Sequence, residues 1–212
     1  MFRDRTDAGR QLARALMPLA QKRPVILALP RGGVPVAFEI SKALDAPLDV
    51  LLVRKIGAPG HPELGIGAVV DGADPQVVLN DEIIRHMRPP ASYLQRETDR
   101  QLEEIEHQRR AYIGDRSPVN VSERTVILVD DGIATGGTAR AAIKALKRAR
   151  ATRVILAVPV GPVDTIESFK SEADDVVCLE TPHPFGAVGM HYSNFRQTTD
   201  EEVIDIMKAT RQ

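Results

Sequence analysis

The 212-residue sequence holds a single cysteine, Cys178, no tryptophan, five phenylalanines and three tyrosines. One thiol excludes an internal disulfide, and its setting (Asp175-Val-Val-Cys-Leu-Glu180) reads as a buried strand residue. An excess of charge of one sign is also missing: 28 Lys and Arg against 29 Asp and Glu leave a formal net charge of −1. Without an overall basic field, no nucleic acid partner is expected. No apolar run approaches the roughly 20 residues of a membrane helix, and the start MFRDRTDAGR lacks a signal peptide's apolar core. A cytoplasmic protein with no membrane contact is therefore expected. Two common phosphate-binding signatures are absent: no glycine-rich loop ends in Gly-Lys-Ser/Thr, and there is no G-x-G-x-x-G. His183 and His191 lack metal-ligand spacing to a partner, which argues against zinc.

What is present is ordinary globular chemistry, 43% apolar and 27% charged, long enough for one domain (1–212) with a real core. Apolar runs at 25–29, 48–53, 126–129, 154–158 and 176–179 read as strands, with helical patterns at 34–44, 139–150 and 163–171 between them. Unbroken Val/Ile/Leu runs suit strands buried on both faces, so the class is α/β, an open twisted and mainly parallel sheet flanked by helices. Residues 6–21 and 200–209 read as further helices, and 66–80 as a hairpin turning at Gly72-Ala73-Asp74-Pro75. Residues 91–113 read as one long amphipathic helix with Leu94, Leu102, Ile105 and Tyr112 on its apolar face, part of a helical insertion over about 81–113. Its dense mixed charge reads as a solvated face, with pairing of two copies or a lid as the other role.

Ligands of open parallel sheets bind beyond the carboxyl ends of the strands. Four unusual segments follow strands here: Pro30-Arg31-Gly32-Gly33, Arg54-Lys55 with the loop to Gly67, Asp130 to Thr138, and Pro159 to Pro162. The third carries the most information. In VILVDDGIATGGT two acids, Asp130 and Asp131, end an apolar strand, and Ala134-Thr135-Gly136-Gly137-Thr138 then open a helix. Free N–H groups at a helix start, two flexible glycines and two hydroxyls suit a phosphate dianion. Carboxylates so near a phosphate would repel it unless they faced hydroxyls or a cation, and a sugar diol answers that need. The stretch thus reads as a site for ribose 5-phosphate.

These thirteen residues resemble the phosphoribosyl diphosphate (PRPP) signature of type I phosphoribosyltransferases. The likeness extends over most of the chain, and is greatest to a bacterial branch with the layout LPRGG … VRKIGAPG-PE … VDDGIATG … AVG--Y--F. It implies that Asp130 and Asp131 take the ribose hydroxyls and, through water, a Mg²⁺ ion, and that Ala134, Thr135, Gly136, Gly137 and Thr138 take the 5-phosphate. By the same likeness, the loop with Arg31, Gly32 and Gly33 meets the diphosphate, helped by Arg54 and Lys55, and residues 56–67 are a mobile loop. That loop would close over the reaction, with Glu63 as proton carrier for the incoming base. A small hood, about 181–212 with the N-terminal helix, would hold the base, with Phe185 and Tyr192 as stacking candidates.

The implied reaction joins PRPP to a nitrogenous base and releases diphosphate, in nucleotide salvage. The loop ATGGT is like that of the adenine type, and Phe185–Arg196 loosely resembles the hood of the hypoxanthine type, so a purine is favoured. Ala134 stands where the hypoxanthine–guanine type has an aspartate, however, and the acid that reads the purine edge has no clear counterpart, although His191 is nearby. Base identity therefore stays open. Two other functions remain: a non-catalytic PRPP or nucleotide sensor of the same fold, and a hydrolase or a transferase to a non-base amine. A sensor would need a docking surface, for which the local basic patch of Lys144, Lys147, Arg148, Arg150 and Arg153 is a candidate.

Overall fold

A computed structural model describes residues 1–210; the last two residues of the hood range, 211 and 212, lie outside the described residues. The chain opens with α1 (Arg5–Leu16), β1 (Val25–Ala28), α2 (Gly33–Leu44) and β2 (Leu48–Val50). Three further strands follow, β3 (Val53–Ala58), β4 (His61–Val70) and β5 (Gln76–Leu79), then helices α3 (Asp81–Met87) and α4 (Ala91–Ile113). The remainder alternates: β6 (Thr125–Val129), α5 (Gly137–Arg148), β7 (Arg153–Val160), α6 (Val163–Phe169), β8 (Asp175–Glu180) and α7 (Asp200–Ala209).

Five strands form a parallel sheet in the order β2-β1-β6-β7-β8. Side chains alternate across a sheet, and here both faces are dry. Ile26, Ala28, Ile127, Val129, Ile155 and Ala157 join one core with α1, α2 and α7. Val25, Leu27, Val126, Leu128, Val154 and Leu156 join the other with α5 and α6. This double burial is why these strands read as unbroken apolar runs. The fold is thus the expected α/β class. No helix among the described residues is long and apolar enough to cross a membrane.

Several elements differ from the sequence-based expectation. The run 48–53 is not one strand. β2 ends at Val50, and from Val53 the chain pairs antiparallel with β4 in a separate sheet, β3-β4-β5. Arg54 and Lys55 therefore lie inside β3, opposite Val69 and Ala68, and do not end a parallel strand. Residues 56–67, expected as a mobile loop, form a hairpin with a tight turn at Pro59-Gly60, where Gly60 takes φ 72°. Register shifts at Ile56/Gly57 and Gly57/Ala58 make this hairpin irregular. The first helix stops at Leu16, because Pro18 lacks the N–H an α-helix needs, and Met17–Lys22 continue as a 3₁₀ helix. The insertion, by contrast, is helical as expected, with the long helix over 91–113 and a short one before it, separated at Arg88-Pro89-Pro90, where Arg88 takes φ 44°.

One buried cation ties the two sheets and the insertion together. Arg109 of α4 donates to Asp49 of β2 at 2.8 Å and to Asp71, just beyond β4, at 2.5 Å. Asp49 also accepts from the Val119 N–H at 3.0 Å and from Arg116 at 3.3 Å. The charged face of α4 is therefore not wholly solvated, since Arg109 and Gln101 are buried beside Ile105 and Tyr112. Breaking a buried pair by removing one partner leaves an uncompensated charge. Arg109→Leu is expected to lower unfolding free energy by about 3–5 kcal/mol in urea titrations, and a loss below about 1 kcal/mol would show the pair to be incidental.

Candidate functional site

β1 and β6 end side by side, with the Leu29 N–H donating to the Val129 carbonyl at 2.9 Å. The residues beyond each strand therefore meet. A Cβ on Gly32 would lie 2.0 Å from Asp131 Oδ2, so only glycine allows the Arg31-Gly32 turn to lie against that carboxylate. On its other side the same oxygen accepts from Arg5 Nε at 2.7 Å, and the Asp131 carbonyl accepts from the Tyr192 hydroxyl at 2.5 Å. Asp130 accepts the Asp131 N–H at 2.8 Å. Burial, and then the neighbouring Asp131 charge, push the Asp130 carboxyl well above the usual carboxylate range.

The turn after the acids is bare and open. Gly136 adopts φ 76°, and a Cβ there would come within 2.6 Å of the Phe169 ring. Left-handed backbone and close packing both require glycine at that position. The first N–H groups of α5, from Gly137 onward, have no carbonyl behind them within the helix. Ala134, Thr135, Gly137 and Thr138 are exposed, while Thr165 fixes the loop by donating to the Ala134 carbonyl at 3.0 Å. Donors and a positive dipole end thus face solvent together, the arrangement that holds an anion.

In the turn after β1, Gly33 donates to the Leu29 carbonyl and Val34 to the Arg31 carbonyl, both at 3.1 Å. That engages the Gly33 N–H, so Gly33 cannot offer it to a ligand as expected. Arg31 is half-exposed and lies 3.6 Å from Asp200, which also accepts from Tyr112 of α4 at 2.5 Å. Burial and Asp200 push the Tyr112 phenol up to about 12. A cavity of about 150 Å³ brings Leu29, Pro30, Arg54 and Thr138 together. A wider cleft of about 700 Å³ runs from Thr135, Gly137 and Thr138 to Lys55. Lys55 is bound to the tip of its own hairpin, donating to the Glu63 carbonyl at 3.0 Å and pairing with its carboxylate at 3.3 Å. Glu63 is otherwise almost wholly exposed, at 98%.

The hood divides the two aromatic candidates. Tyr192 is buried, its ring packed on Phe2 and Phe195 with centroids 5.4 and 4.9 Å apart, so it supports Asp131 and cannot stack on a ligand. Phe185 is half-buried and stacks on His191, centroids 5.1 Å apart. Cys178 is half-buried rather than buried, and burial raises its thiol to about 11, an inert value. Arg5 carries no signal of its role in the sequence. An arginine opening a helix reads as solvated, and nothing local points to a partner 126 residues away.

No group of three or more His, Cys, Asp or Glu side chains among the described residues could enclose a metal ion. The Asp130–Asp131 pair suits a hard cation such as Mg²⁺, which keeps water and brings phosphate oxygens as its other ligands. Since Arg5 already occupies Asp131 Oδ2, contact through water fits this pair better than direct ligation.

The chain belongs to the phosphoribosyl transferase domain family, which matches residues 5–194. A "Putative phosphoribosyl transferase" of Mycobacterium tuberculosis (strain ATCC 25618 / H37Rv) is 48% identical over 204 residues, 96% of this chain and 46% of that protein. The chain thus spans about half the length of this curated relative. The crystal structure of TT1426 from Thermus thermophilus superposes with a TM-score of 0.85 at 43% identity, covering 98% of this chain and 97% of that one. A shorter likeness, 41% identity over 59 residues (28% of each chain), is to a uracil phosphoribosyltransferase of Lactobacillus delbrueckii subsp. bulgaricus.

Two glycines of the site should respond oppositely to the same substitution. Gly32→Ala drives a methyl into Asp131 and is expected to cost about 1–3 kcal/mol, whereas a Cβ on Gly137 meets nothing within 4 Å and its change should stay within about 0.5 kcal/mol. Urea midpoints for the two variants check this, and equal effects would contradict the contact.

Proposed function

We propose that this protein is a Mg²⁺-dependent phosphoribosyltransferase that moves the 5-phosphoribosyl group of PRPP to a nitrogenous base and releases diphosphate, acting in cytoplasmic nucleotide salvage. One observation carries the reading: two acids lie between an open Gly/Thr turn at a helix start and the Arg31-Gly32 turn, with Gly32 in contact with Asp131. A ribose has hydroxyls for the acids, a 5-phosphate for the helix start and an anomeric diphosphate for the other turn.

The chemistry follows from what each group can stabilise. As the bond from the anomeric carbon to diphosphate breaks, negative charge grows on the leaving oxygens and positive charge on the ribose ring. Arg31, Arg54, Lys55 and the Arg31 and Gly32 N–H groups are the donors for the leaving group. Asp130 and Asp131 hold the hydroxyls, and the Asp131 carboxylate, paired with Arg5, lies where it favours the cationic ring. Mg²⁺, when bound with diphosphate, would neutralise the leaving group further. The β3–β4 hairpin, irregular at Ile56–Ala58 and turning on Gly60, is the segment able to cover the site, and the Lys55–Glu63 pair would have to open for either side chain to reach substrate. The half-buried Phe185 ring, stacked on His191, offers a base one aromatic platform. A purine is favoured by the likeness of the ATGGT turn and the hood to purine-type members of the family.

The test is diphosphate release from PRPP and Mg²⁺ with a panel of purines, pyrimidines and small amines. Release with a purine is expected. Tight PRPP binding without release from any acceptor would replace the enzyme with a sensor. Asp131→Asn loses a charge-assisted acceptor, and kcat/KM for PRPP should fall about 10- to 100-fold; unchanged activity would place the ribose elsewhere. Because the Asp130 carboxyl is held high, acid protonates it sooner than an ordinary aspartate. Calorimetric titration with ribose 5-phosphate should therefore show affinity falling, as pH is lowered, well before the value near 3.9 of a free aspartate.

A further inference from the structure

The N-terminal segment is built into the site in a way the proposed reaction does not require. Phe2 pairs alongside Tyr192: its N–H donates to the His191 carbonyl at 2.8 Å, and its carbonyl accepts from the Ser193 N–H at 2.8 Å. The Arg3 carbonyl accepts from the Asn194 N–H at 2.9 Å. Asp4 then caps α1, accepting the Asp7 N–H at 2.8 Å, and Arg5 is the first residue of the helix. A cation at that position opposes the helix dipole, so its own helix supplies no reason for it. The side chain instead runs back to the acids.

We propose that Arg5 is the positioning residue of the ribose site, fixing the Asp131 carboxylate so that the protein distinguishes ribose from 2-deoxyribose; this rests on the ribose reading above. Three contacts fix the guanidinium: Nε donates to Asp131 Oδ2 at 2.7 Å, Nη1 donates to the Arg196 carbonyl at 2.7 Å, and its plane lies 4.0 Å from the Phe195 ring centre. Both charged side chains are largely buried, 12% and 14% exposed, so the pair is little screened and its geometry is held. Gly32 on the opposite side and the Tyr192 hydroxyl on the carbonyl complete a clamp around Asp131. Arg5 takes one carboxylate oxygen, Oδ2, so a ligand hydroxyl would have to be met by the other, Oδ1. A fixed acceptor discriminates strongly against an analogue that lacks its hydroxyl, whereas a swinging one re-solvates and loses that selectivity. Arg5 touches no reacting atom; it acts through Asp131.

Calorimetric titration of the whole protein with ribose 5-phosphate and with 2-deoxyribose 5-phosphate tests this, with thermal unfolding as the check on folding. The wild type is expected to prefer the ribose compound about 10-fold or more, and Arg5→Gln to bring the two affinities within about threefold while still unfolding cooperatively. Arg5→Lys keeps the charge without the planar fork, and its preference should fall between the two. A wild-type preference retained in Arg5→Gln overturns the proposal while leaving the ribose site standing. Should Arg5→Gln not fold, an undiminished preference in Arg5→Lys overturns it equally. Failure of the wild type to bind either sugar phosphate overturns the ribose reading itself, and Arg5's role with it.

Discussion

The carboxylate of Asp131 and the backbone of Gly32 approach so closely that no side chain fits between them, and the site is organised around that contact. It joins the ends of β1 and β6, neighbours in the sheet, so the turns beyond them open on one edge. Parallel strands deliver their carboxyl ends to the same side. What the sheet alone cannot do is set their spacing to within an ångström. The glycine does so by letting one turn rest on the acid of the other. From the opposite side, the hood and the N-terminal segment reach the same acid through Tyr192 and Arg5. Four separate stretches of chain thus converge on one residue, Asp131.

Arg109 plays a comparable part at longer range. By bridging Asp49 of the parallel sheet and Asp71 of the antiparallel one, it sets how β3 departs from the edge of the main sheet. Arg54 and Lys55 lie on β3, so their approach to Thr138 depends on that junction. Tyr112, one turn along α4, continues the connection through Asp200 to Arg31. The insertion is therefore no mere surface decoration. Its buried face carries polar groups, which cost desolvation unless paired: Arg109 pairs with Asp49 and Asp71, Tyr112 with Asp200 of α7, and Gln101 with Glu97 of its own helix.

The α/β class was legible because strands buried on both faces leave apolar runs that no other local structure explains. Asp130, Asp131 and the turn at 134–138 were legible for a similar reason, since their chemistry lies within thirteen consecutive residues. The split at 48–53 was hidden: Leu51, Leu52 and Val53 are as apolar as Val50, and the change of sheet is decided by pairing with β4. The hairpin at 56–67 was hidden by its Gly and Pro residues, which favour a loop locally but here occupy bulges and the turn. Tyr192 gave a false signal and Arg5 gave none. An aromatic in a hood reads as a ligand platform and an arginine at a helix start as solvated, yet each has its partner more than sixty residues away.

The two halves of the proposed substrate are specified by different means. Under the proposed function, ribose, phosphate and diphosphate would be recognised largely by backbone geometry: glycines that permit contact, a helix start that offers N–H groups, and acids clamped from several sides. Such features tolerate little substitution and keep a recognisable spacing. A base would be met by side chains, for which the hood offers the Phe185–His191 stack, while Ala134 in the turn after β6 carries only a methyl. Without an acid at 134, a purine ring proton has no charged acceptor in the loop. Selectivity would then rest on stacking and on the His191 ring, whose Nε2 lies 2.8 Å from the Phe185 carbonyl. That nitrogen is already engaged, which leaves the aromatic faces as the surface a base would meet. Stacking is tolerant of ring identity, so a site built this way would accept several planar acceptors more readily than it would accept a second sugar.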